Sequence, residues 1–217
     1  MAAITTSEAA LLRPGLLEGV SLLLAGAPPH EGDGAQRAAA PAVIEVCTAL
    51  GARVATCEPL SDRAEVAPEA ALDAAVAAAA GDAGGIDMLV VDGASLFARG
   101  GDGHAALRAC MDGAWNATRA TVNQAFLQAS EPRGRVVFLA PAPAAGTHAG
   151  AAGAGLQNLA RTLSIEWARQ RITTVAIAPG AATANRELAE LVAYLASPAG
   201  AYFSGCLLDL RGASATV

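Results

Sequence analysis

The chain has 217 residues, of which 53% are hydrophobic, and this length suits one domain with a sizeable core. We therefore expect residues 1–217 to form a single domain. The formal net charge of −6 argues against a nucleic-acid or anionic-membrane partner, because both attract clustered cations. Every basic residue is an arginine, so no mechanism that needs a lysine amine can operate in this chain.

The cysteines show no C-x-x-C spacing, which argues against a zinc site and against a disulfide framework. They stand at positions Cys47, Cys57, Cys110 and Cys206. The first residues do not pair a basic segment with an apolar run, and no stretch reaches the roughly 20 apolar residues of a membrane span. These observations predict a cytoplasmic protein.

Strand and helix signals alternate along the chain. Apolar runs bounded by glycine or proline predict strands at 19–27, 52–58, 86–94, 134–141, 172–180 and 204–210. Longer segments between them predict helices at 38–50, 68–80, 104–128, 149–169 and 186–196. This alternation predicts an α/β fold with a Rossmann-like, doubly wound parallel sheet of about six strands.

The order of these segments resembles that of the short-chain dehydrogenase/reductase family. The likeness covers about residues 16–213 and depends on "LLEGVSLLLAGA", "GIDMLVVDGA", "GRVVFLA", "LARTLSIEWA", "VAIAPG" and "SPAGAYFSGCLLDLRG". It implies a Rossmann-type fold and, in an intact member, alcohol or ketone chemistry with NAD or NADP. Each functional position of the family can then be compared with this sequence.

The phosphate-binding loop of the family, T-G-x-x-x-G-x-G, corresponds here to "AGAPPHEG" at 25–32. Glycines in that loop let the backbone approach a pyrophosphate. Gly26 and Gly32 remain, but His30 replaces the middle glycine, and Pro28 and Pro29 remove two backbone donors. The following Glu31 adds a negative charge. We therefore expect this chain to bind no NAD or NADP.

The adenine side of the family site is also shortened. Glu58 ends the second predicted strand, where the family places the acid that holds the adenosine ribose, so we interpret it as vestigial. The segment "SDRAEV" follows almost at once. The edge βα unit of the family is therefore reduced, and half of the adenine pocket is unbuilt.

The resemblance also locates the catalytic asparagine, serine, tyrosine and lysine of the family. These positions hold Cys110, Pro141, Ala149 and Gly153. In the family the tyrosine is the general acid/base, the lysine lowers its pKa, and the serine orients the substrate oxygen. All four roles are predicted to be vacant. The substrate lid after "APG" is reduced as well, since "AATANRELAELVAYLASP" continues almost directly into a helix.

A relocated site is the main enzymatic alternative. His148 could act as an acid or base, and a cluster with Asp92 and Cys110 would favour a cofactor-free enzyme in the old cleft. The simpler interpretation makes Thr147 a helix cap beside a solvated His148. A retained purine pocket beside Glu58 would instead favour a small-ligand sensor. His30 and His104 have no ligands at metal-binding spacing, so we predict no metal site.

The sequence retains the segments through which family members assemble, namely the helices at 104–128 and 149–169 and the last strand region. We therefore expect a non-catalytic subunit of a hetero-oligomeric dehydrogenase, in a heterotetramer whose catalytic subunit carries NAD or NADP. It resembles the inactive subunits of two-component acyl-CoA-linked alcohol dehydrogenases and the structural half of polyketide ketoreductases. On the helix at 149–169, one face is predicted to pack on the sheet: Ala149, Gly153, Leu156, Ala160, Leu163 and Trp167. The opposite face is predicted to contact the partner: Ala151, Gly155, Asn158, Thr162 and Ile165.

Overall fold

The computed structural model describes residues 12–27, 39–59 and 68–212. Its strands form one six-stranded sheet in which all neighbours are parallel. The strands are β1 (Ser21–Ala25), β2 (Arg53–Cys57), β3 (Met88–Asp92), β4 (Gly134–Leu139), β5 (Ile172–Ala178) and β6 (Cys206–Asp209). Their order across the sheet is β2-β1-β3-β4-β5-β6.

Helices cover both faces of this sheet. They are α1 (Ala40–Ala49), α2 (Pro68–Ala83), α3 (Gly93–Arg99), α4 (Gly103–Thr121), α5 (Ala149–Glu166) and α6 (Asn185–Ala196). One apolar core lies between the sheet and α2, α4 and α5, and a second lies between the sheet and α1 and α6. The central strands are continuous apolar runs because neither of their faces meets water. The predicted doubly wound Rossmann-like sheet of six strands is confirmed.

The sheet ends at β2 on one side, as expected for a chain that has lost an edge unit. Only residues 58–67 separate β2 from α2, which is too short for a further helix and strand. The lid is equally short, because α6 begins at Asn185, soon after the Pro179-Gly180 turn. The side chain of Glu187 accepts from the Ala184 amide at 2.9 Å and so caps this early start.

Three elements differ from the sequence prediction. Residues 93 and 94 do not extend the third strand; they begin α3, whose N-cap is Asp92. The helix predicted at 104–128 starts at Gly103 and changes to a π-helical turn over Val122–Phe126. The helix predicted to reach residue 169 ends at Glu166 and is followed by a 3-10 turn over Ala168–Gln170.

The predicted inner face of α5 is largely confirmed. Ala149, Leu156, Ala160 and Leu163 are all buried, whereas Gly153 and Trp167 are half-buried. Of the helices described by the structure, none is both long and apolar enough to cross a membrane.

Candidate functional site

A cleft of about 360 Å³ opens at the carboxyl ends of β3, β4 and β5. Ligands of open α/β sheets bind at this end of the strands, so the cleft is the candidate site. Its walls include α3, the 3-10 turn Pro143–Ala145 and the start of α6, and most of its lining residues are alanine or glycine. Asp92, Thr183 and Asn185 are its polar side chains. The Thr183 hydroxyl accepts from the Gly180 amide at 2.8 Å. Apart from these three polar side chains, the lining residues are apolar or glycine.

Cys110, at the family's asparagine position, is a core residue of α4 with no exposed surface. Its sulfur lies 3.4 Å from where a methyl group on Gly93 would be. Burial raises the pKa of the Cys110 thiol to about 12, and the nearby carboxyl group of Asp92 adds to the shift. Cys110 therefore remains a protonated thiol and does not line the cleft.

The residues predicted at the other three catalytic positions of the family carry no titratable side chain. Pro141 follows β4 and is buried, and Ala149 at the start of α5 is 1% exposed. Gly153 is half-buried one turn later, and a methyl group there would meet the Ala140 side chain at 3.7 Å. No side chain at these positions can donate or accept a proton.

Asp92 is the one buried carboxyl group of the cleft, with 0% exposure. Its Oδ1 accepts from the Ser95 amide at 3.1 Å, and its Oδ2 accepts from the Ala40 amide at 3.3 Å. Burial raises the pKa of Asp92, although these amide donors and that of Ala94 act in the opposite direction. Both oxygens are therefore already engaged with the chain's own backbone.

Glu58, which the family resemblance places at the ribose position, also has a partner within the chain. Glu58, just beyond the end of β2, forms an ion pair with Arg99 at the end of α3. The two residues are 41 positions apart in the sequence, so the pair joins α3 to the sheet edge. The cleft does not extend to Glu58. The purine pocket that a ligand sensor would need is therefore not part of this cleft.

The phosphate loop is described only at its two ends. Gly26 and Ala27 follow β1, and Ala39 and Ala40 begin α1. Pro28, Pro29, His30, Glu31 and Gly32 lie outside the described residues. A methyl group on Gly26 would lie 2.8 Å from the Ser95 hydroxyl, so α3 packs closely against this glycine. The residues that would contact a dinucleotide phosphate in this loop lie outside the described part of the chain.

His104 and His148 stack on each other, with ring centroids 4.6 Å apart and an angle of 30° between the rings. Neither imidazole lines the cleft, so of Asp92, Cys110 and His148 only Asp92 reaches it. The proposed capping by Thr147 is wrong. His148 is the N-cap, with a φ of 71°, and its carbonyl accepts from the Ala152 amide at 2.9 Å. Thr147 therefore stands one residue too early for its hydroxyl to reach the first free amides.

Metal-binding groups are not assembled in the described part of the chain. Within residues 12–27, 39–59 and 68–212, no three histidine, cysteine or acidic side chains are placed to hold one ion. All four cysteines are described and unpaired.

The outer face of α5 is exposed at four of its five predicted positions, Ala151, Asn158, Thr162 and Ile165. Ile165 is the largest apolar side chain on this face and is 78% exposed. The structure differs from the predicted exposure at Gly155. It is half-buried, and a methyl group there would lie 2.7 Å from the sulfur of Met111 on α4. The absence of a side chain at Gly155 therefore lets α4 approach within the same chain.

Two residues beside the cleft, Ser95 and Arg99, were not foreseen from sequence because α3 itself was not predicted. A helix-start signal was present, because aspartate is a favoured N-cap residue. Its side chain accepts from the backbone amide three residues later, here that of Ser95. The contact between Arg99 and Glu58 had no comparable local signal.

The similarity of this chain to known proteins is found in its fold. No protein-family model and no curated protein matches the chain. A citronellol catabolism dehydrogenase from Pseudomonas aeruginosa is similar in structure, with a TM-score of 0.68 and 22% identity over 94% of this chain and 98% of that chain. A 3-ketoacyl-(acyl-carrier-protein) reductase from Brucella melitensis, solved with NADH, gives a TM-score of 0.65 and 21% identity over 90% and 98%.

A third solved structure gives the same result. A short-chain dehydrogenase/reductase from Serratia marcescens has a TM-score of 0.64 and 17% identity over 90% of this chain and 97% of that chain. These likenesses cover nearly the whole of each chain at low identity, so they establish architecture. The chain has the Rossmann-like fold of the short-chain dehydrogenases/reductases.

Proposed function

We propose that this chain is a non-catalytic structural subunit of a hetero-oligomeric, NAD(P)-dependent short-chain dehydrogenase/reductase. The partner subunit would carry NAD or NADP and perform the alcohol or ketone chemistry, with acyl-CoA-linked compounds among the candidate substrates. One observation carries the proposal: an oxidoreductase fold in which Cys110, Pro141, Ala149 and Gly153 occupy the catalytic positions. Without an acid/base at the reacting centre, the fold retains its architecture and lacks its chemistry.

The cofactor side supports the same proposal. The solved reductase from Brucella melitensis was obtained with NADH, whereas here Asp92 and Arg99 contact the ends of the elements that would hold a dinucleotide. The proposal therefore places NAD or NADP on the partner subunit and not on this chain.

The outer surface supports a partner. Trp115 on α4 is 45% exposed and Ile165 on α5 is 78% exposed. Both helices pack on the same apolar core, and Met111 of α4 lies against Gly155 of α5, so the two helices are neighbours on one side of the sheet. Tyr202, just before β6, is 91% exposed and lies in the second assembly segment. Large exposed apolar side chains on two segments of this kind are typical of interaction surfaces.

The test is co-expression with an intact short-chain dehydrogenase encoded beside this chain's gene. We expect the two chains to co-purify, and the mixed complex to be more active or longer-lived than the dehydrogenase alone. The isolated chain should show no NAD(P)-dependent oxidation or reduction. Turnover by the isolated chain would overturn the proposal, and so would a dehydrogenase whose mass and activity do not change in its presence.

A further inference from the structure

A second cavity, of about 490 Å³, lies at the amino ends of β1, β3, β4 and β5, on the edge of the sheet opposite the candidate site. All of its lining residues belong to the described part of the chain. Its apolar wall comes from the strand starts and the end of α6, and includes Val20, Met88, Ala196, Pro198 and Ala201. The charged lining residues are Glu18, Asp87, Arg133, Arg135 and Arg171.

Arg135 on β4 is half-buried and is held in place by the end of α6. Its Nη1 donates to the carbonyl oxygens of Leu195, Ala196 and Ser197 at 2.8, 2.7 and 2.6 Å. These carbonyl groups end a helix, where a cation is favoured. The guanidinium group of Arg135 is therefore oriented by the protein before any ligand arrives.

The opposite edge of the same guanidinium group has no partner among the described residues. No acceptor there is within hydrogen-bond distance of Arg135 Nε or Nη2. Neither nitrogen is buried, because the buried unpaired side-chain atoms of the described residues belong to Arg119, Thr121 and Gln170. Nε and Nη2 form a planar fork that matches the two oxygens of a carboxylate.

The surroundings of Arg135 favour an added negative charge. Burial lowers the pKa of Arg135, and the neighbouring Arg133 adds to this effect while Asp87 opposes it. An anion on the fork would offset the same cost of burial. The half-buried position therefore makes Arg135 a better anchor for an anion than a fully solvated arginine would be.

Two further arginines lie side by side at the rim of this cavity. The Gly134 amide donates to the Arg171 carbonyl at 3.5 Å, so Arg133 and Arg171 precede neighbouring strands at the same level. Arg133 lies 3.9 Å from Asp87, and Arg171 lies 3.2 Å from Glu131. The two arginine side chains are 71% and 64% exposed, and exposed ion pairs of this kind are weak. Both arginines can therefore turn toward a ligand.

The acidic residues of the lining do not cancel the three arginines. Asp87 is already engaged, because its Oδ2 accepts from the Ser21 amide at 2.9 Å. Glu18 is exposed and lies against Gly15, where a methyl group would be 2.8 Å from Glu18 Oε1. Three guanidinium groups and two carboxylates leave one net positive charge on the lining.

We propose that this cavity binds a small organic acid, whose carboxylate accepts from Nε and Nη2 of Arg135 and whose apolar body contacts Val20 and Pro198. Arg133 and Arg171 add positive charge at the rim. The cavity volume is in the range of small-molecule sites. This site goes beyond the structural-subunit role and needs no partner, because the chain itself supplies every residue of it.

The test uses the whole chain and two matched probes followed by fluorine NMR. 4-Fluorobenzoate carries a carboxylate on an apolar ring, and 4-fluorobenzamide keeps the shape without the charge. We expect saturable binding of the benzoate with a Kd of about 1 mM, and binding of the amide at least about tenfold weaker. Sodium chloride keeps the ionic strength equal in all titrations.

Variants locate the bound probe. Arg135→Gln removes the charge and the fork, so it should weaken binding of the benzoate at least about tenfold. Arg133→Gln and Arg171→Gln should each weaken it about two- to fivefold, because these side chains act only through their charge. Arg161→Gln is the control, since Arg161 is exposed on α5 across the sheet, and it should bind as the wild type does.

Arg135→Lys keeps the test decisive if Arg135→Gln does not fold. Lysine retains a charged donor for the α6 carbonyls but lacks the planar fork, so this variant should fold and still lose most of the binding. Far-UV circular dichroism checks the fold.

Four results would overturn the proposal. These are wild-type affinity in Arg135→Lys, equal affinity for the two probes, an equal loss in Arg161→Gln, or no saturable binding of the benzoate up to about 20 mM. None of the measurements involves the partner subunit. Failure here would therefore leave the proposed subunit role standing.

Discussion

Gly153 and Gly155 lie close together on α5, yet their surroundings differ. A methyl group on Gly153 would meet only Ala140, at an ordinary contact distance of 3.7 Å. A methyl group on Gly155 would lie 2.7 Å from the Met111 sulfur. Gly153 is the predicted counterpart of a family lysine, whereas Gly155 lets Met111 of α4 lie close to α5.

Gly153→Ala should therefore raise the free energy of unfolding by about 0.5–1 kcal/mol, because alanine restricts the unfolded chain and suits a helix interior. Gly155→Ala is the matched control on the same helix and should gain less or lose stability, since Met111 must move. Urea denaturation measures both. A gain at Gly155 equal to that at Gly153 would contradict the assigned role of Met111.

Asp92 predicts a pH dependence of stability. Burial raises its pKa above the ordinary value of 3.8, so the folded chain holds this proton to a higher pH than the unfolded chain does. Its contribution to stability is therefore greatest at low pH and falls as pH rises through the interval between the two pKa values. Cys110, its titratable neighbour, has a pKa of about 12 and stays protonated throughout.

Asp92→Asn cannot titrate and serves as the reference. The free energy of unfolding of the wild-type chain minus that of Asp92→Asn should decrease as pH rises from about 4 and then level off. Urea denaturation over a pH series measures this difference. A difference that stays constant, or that grows with pH, would show that the Asp92 pKa is not raised.

The strands and helices with strong hydrophobic patterns were predictable from sequence. The central strands are continuous apolar runs, and α5 carries an apolar stripe at helical spacing, so their types and approximate bounds are confirmed. The short α3 was missed because seven residues carry too little periodicity to separate a helix from the end of a strand.

The candidate site was predictable only in part, for a related reason. The assignment of Cys110, Pro141, Ala149 and Gly153 to the family's catalytic positions depends on residue identity and segment order, and it stays a prediction. The contacts around α3 join Asp92 to Ala40 and Arg99 to Glu58, and no local pattern specifies which distant residues meet. Of the face of α5 predicted to contact a partner, only the exposure of its residues can be compared with the structure, and Gly155 differs because helix spacing alone does not show that Met111 of α4 lies against it.

The exposed faces of α4 and α5 lead to a prediction about binding of the partner subunit. Ile165→Asp should weaken association with the partner by about 3 kcal/mol, or roughly 100-fold in Kd, because a carboxylate would be buried without a counter-charge. Ile44→Asp is the control, since Ile44 is 37% exposed on α1 and the other layer of the molecule. Solution mass of the mixed complex measures both variants.

The outcomes are distinct. Loss of association with Ile165→Asp alone would place the partner on α5. Equal loss with both variants, or with neither, would contradict this location. Both chains should remain folded, because both side chains are partly in water, and far-UV circular dichroism checks this.

For the molecule as a whole, the predicted loss of catalytic side chains and the predicted loss of cofactor binding each lead us to expect no activity. Ala149→Tyr combined with Gly153→Lys introduces the tyrosine and lysine of the family, but it leaves Pro28, Pro29 and His30 of the phosphate loop unchanged. We expect no turnover of ketones with NADH or NADPH, because catalysis also needs a positioned cofactor. Absorbance of the reduced cofactor measures this, and circular dichroism of the variant checks that it folds, since Ala149 is buried. Any NAD(P)H-dependent turnover by the double variant would show that the chain can bind and position the cofactor.

The position of Asp92 at the end of β3 also affects how the chain folds. β1 lies between β2 and β3, so it gains its second neighbour only after α1, β2 and α2 have been bridged. Pairings between strands so far apart in sequence form slowly, and unpaired apolar strands are prone to aggregation meanwhile. When β3 docks, the same event delivers Asp92 to the start of α1. Pairing of β3 with β1 and the hydrogen bond from the Ala40 amide to Asp92 are thereby coupled in a single step.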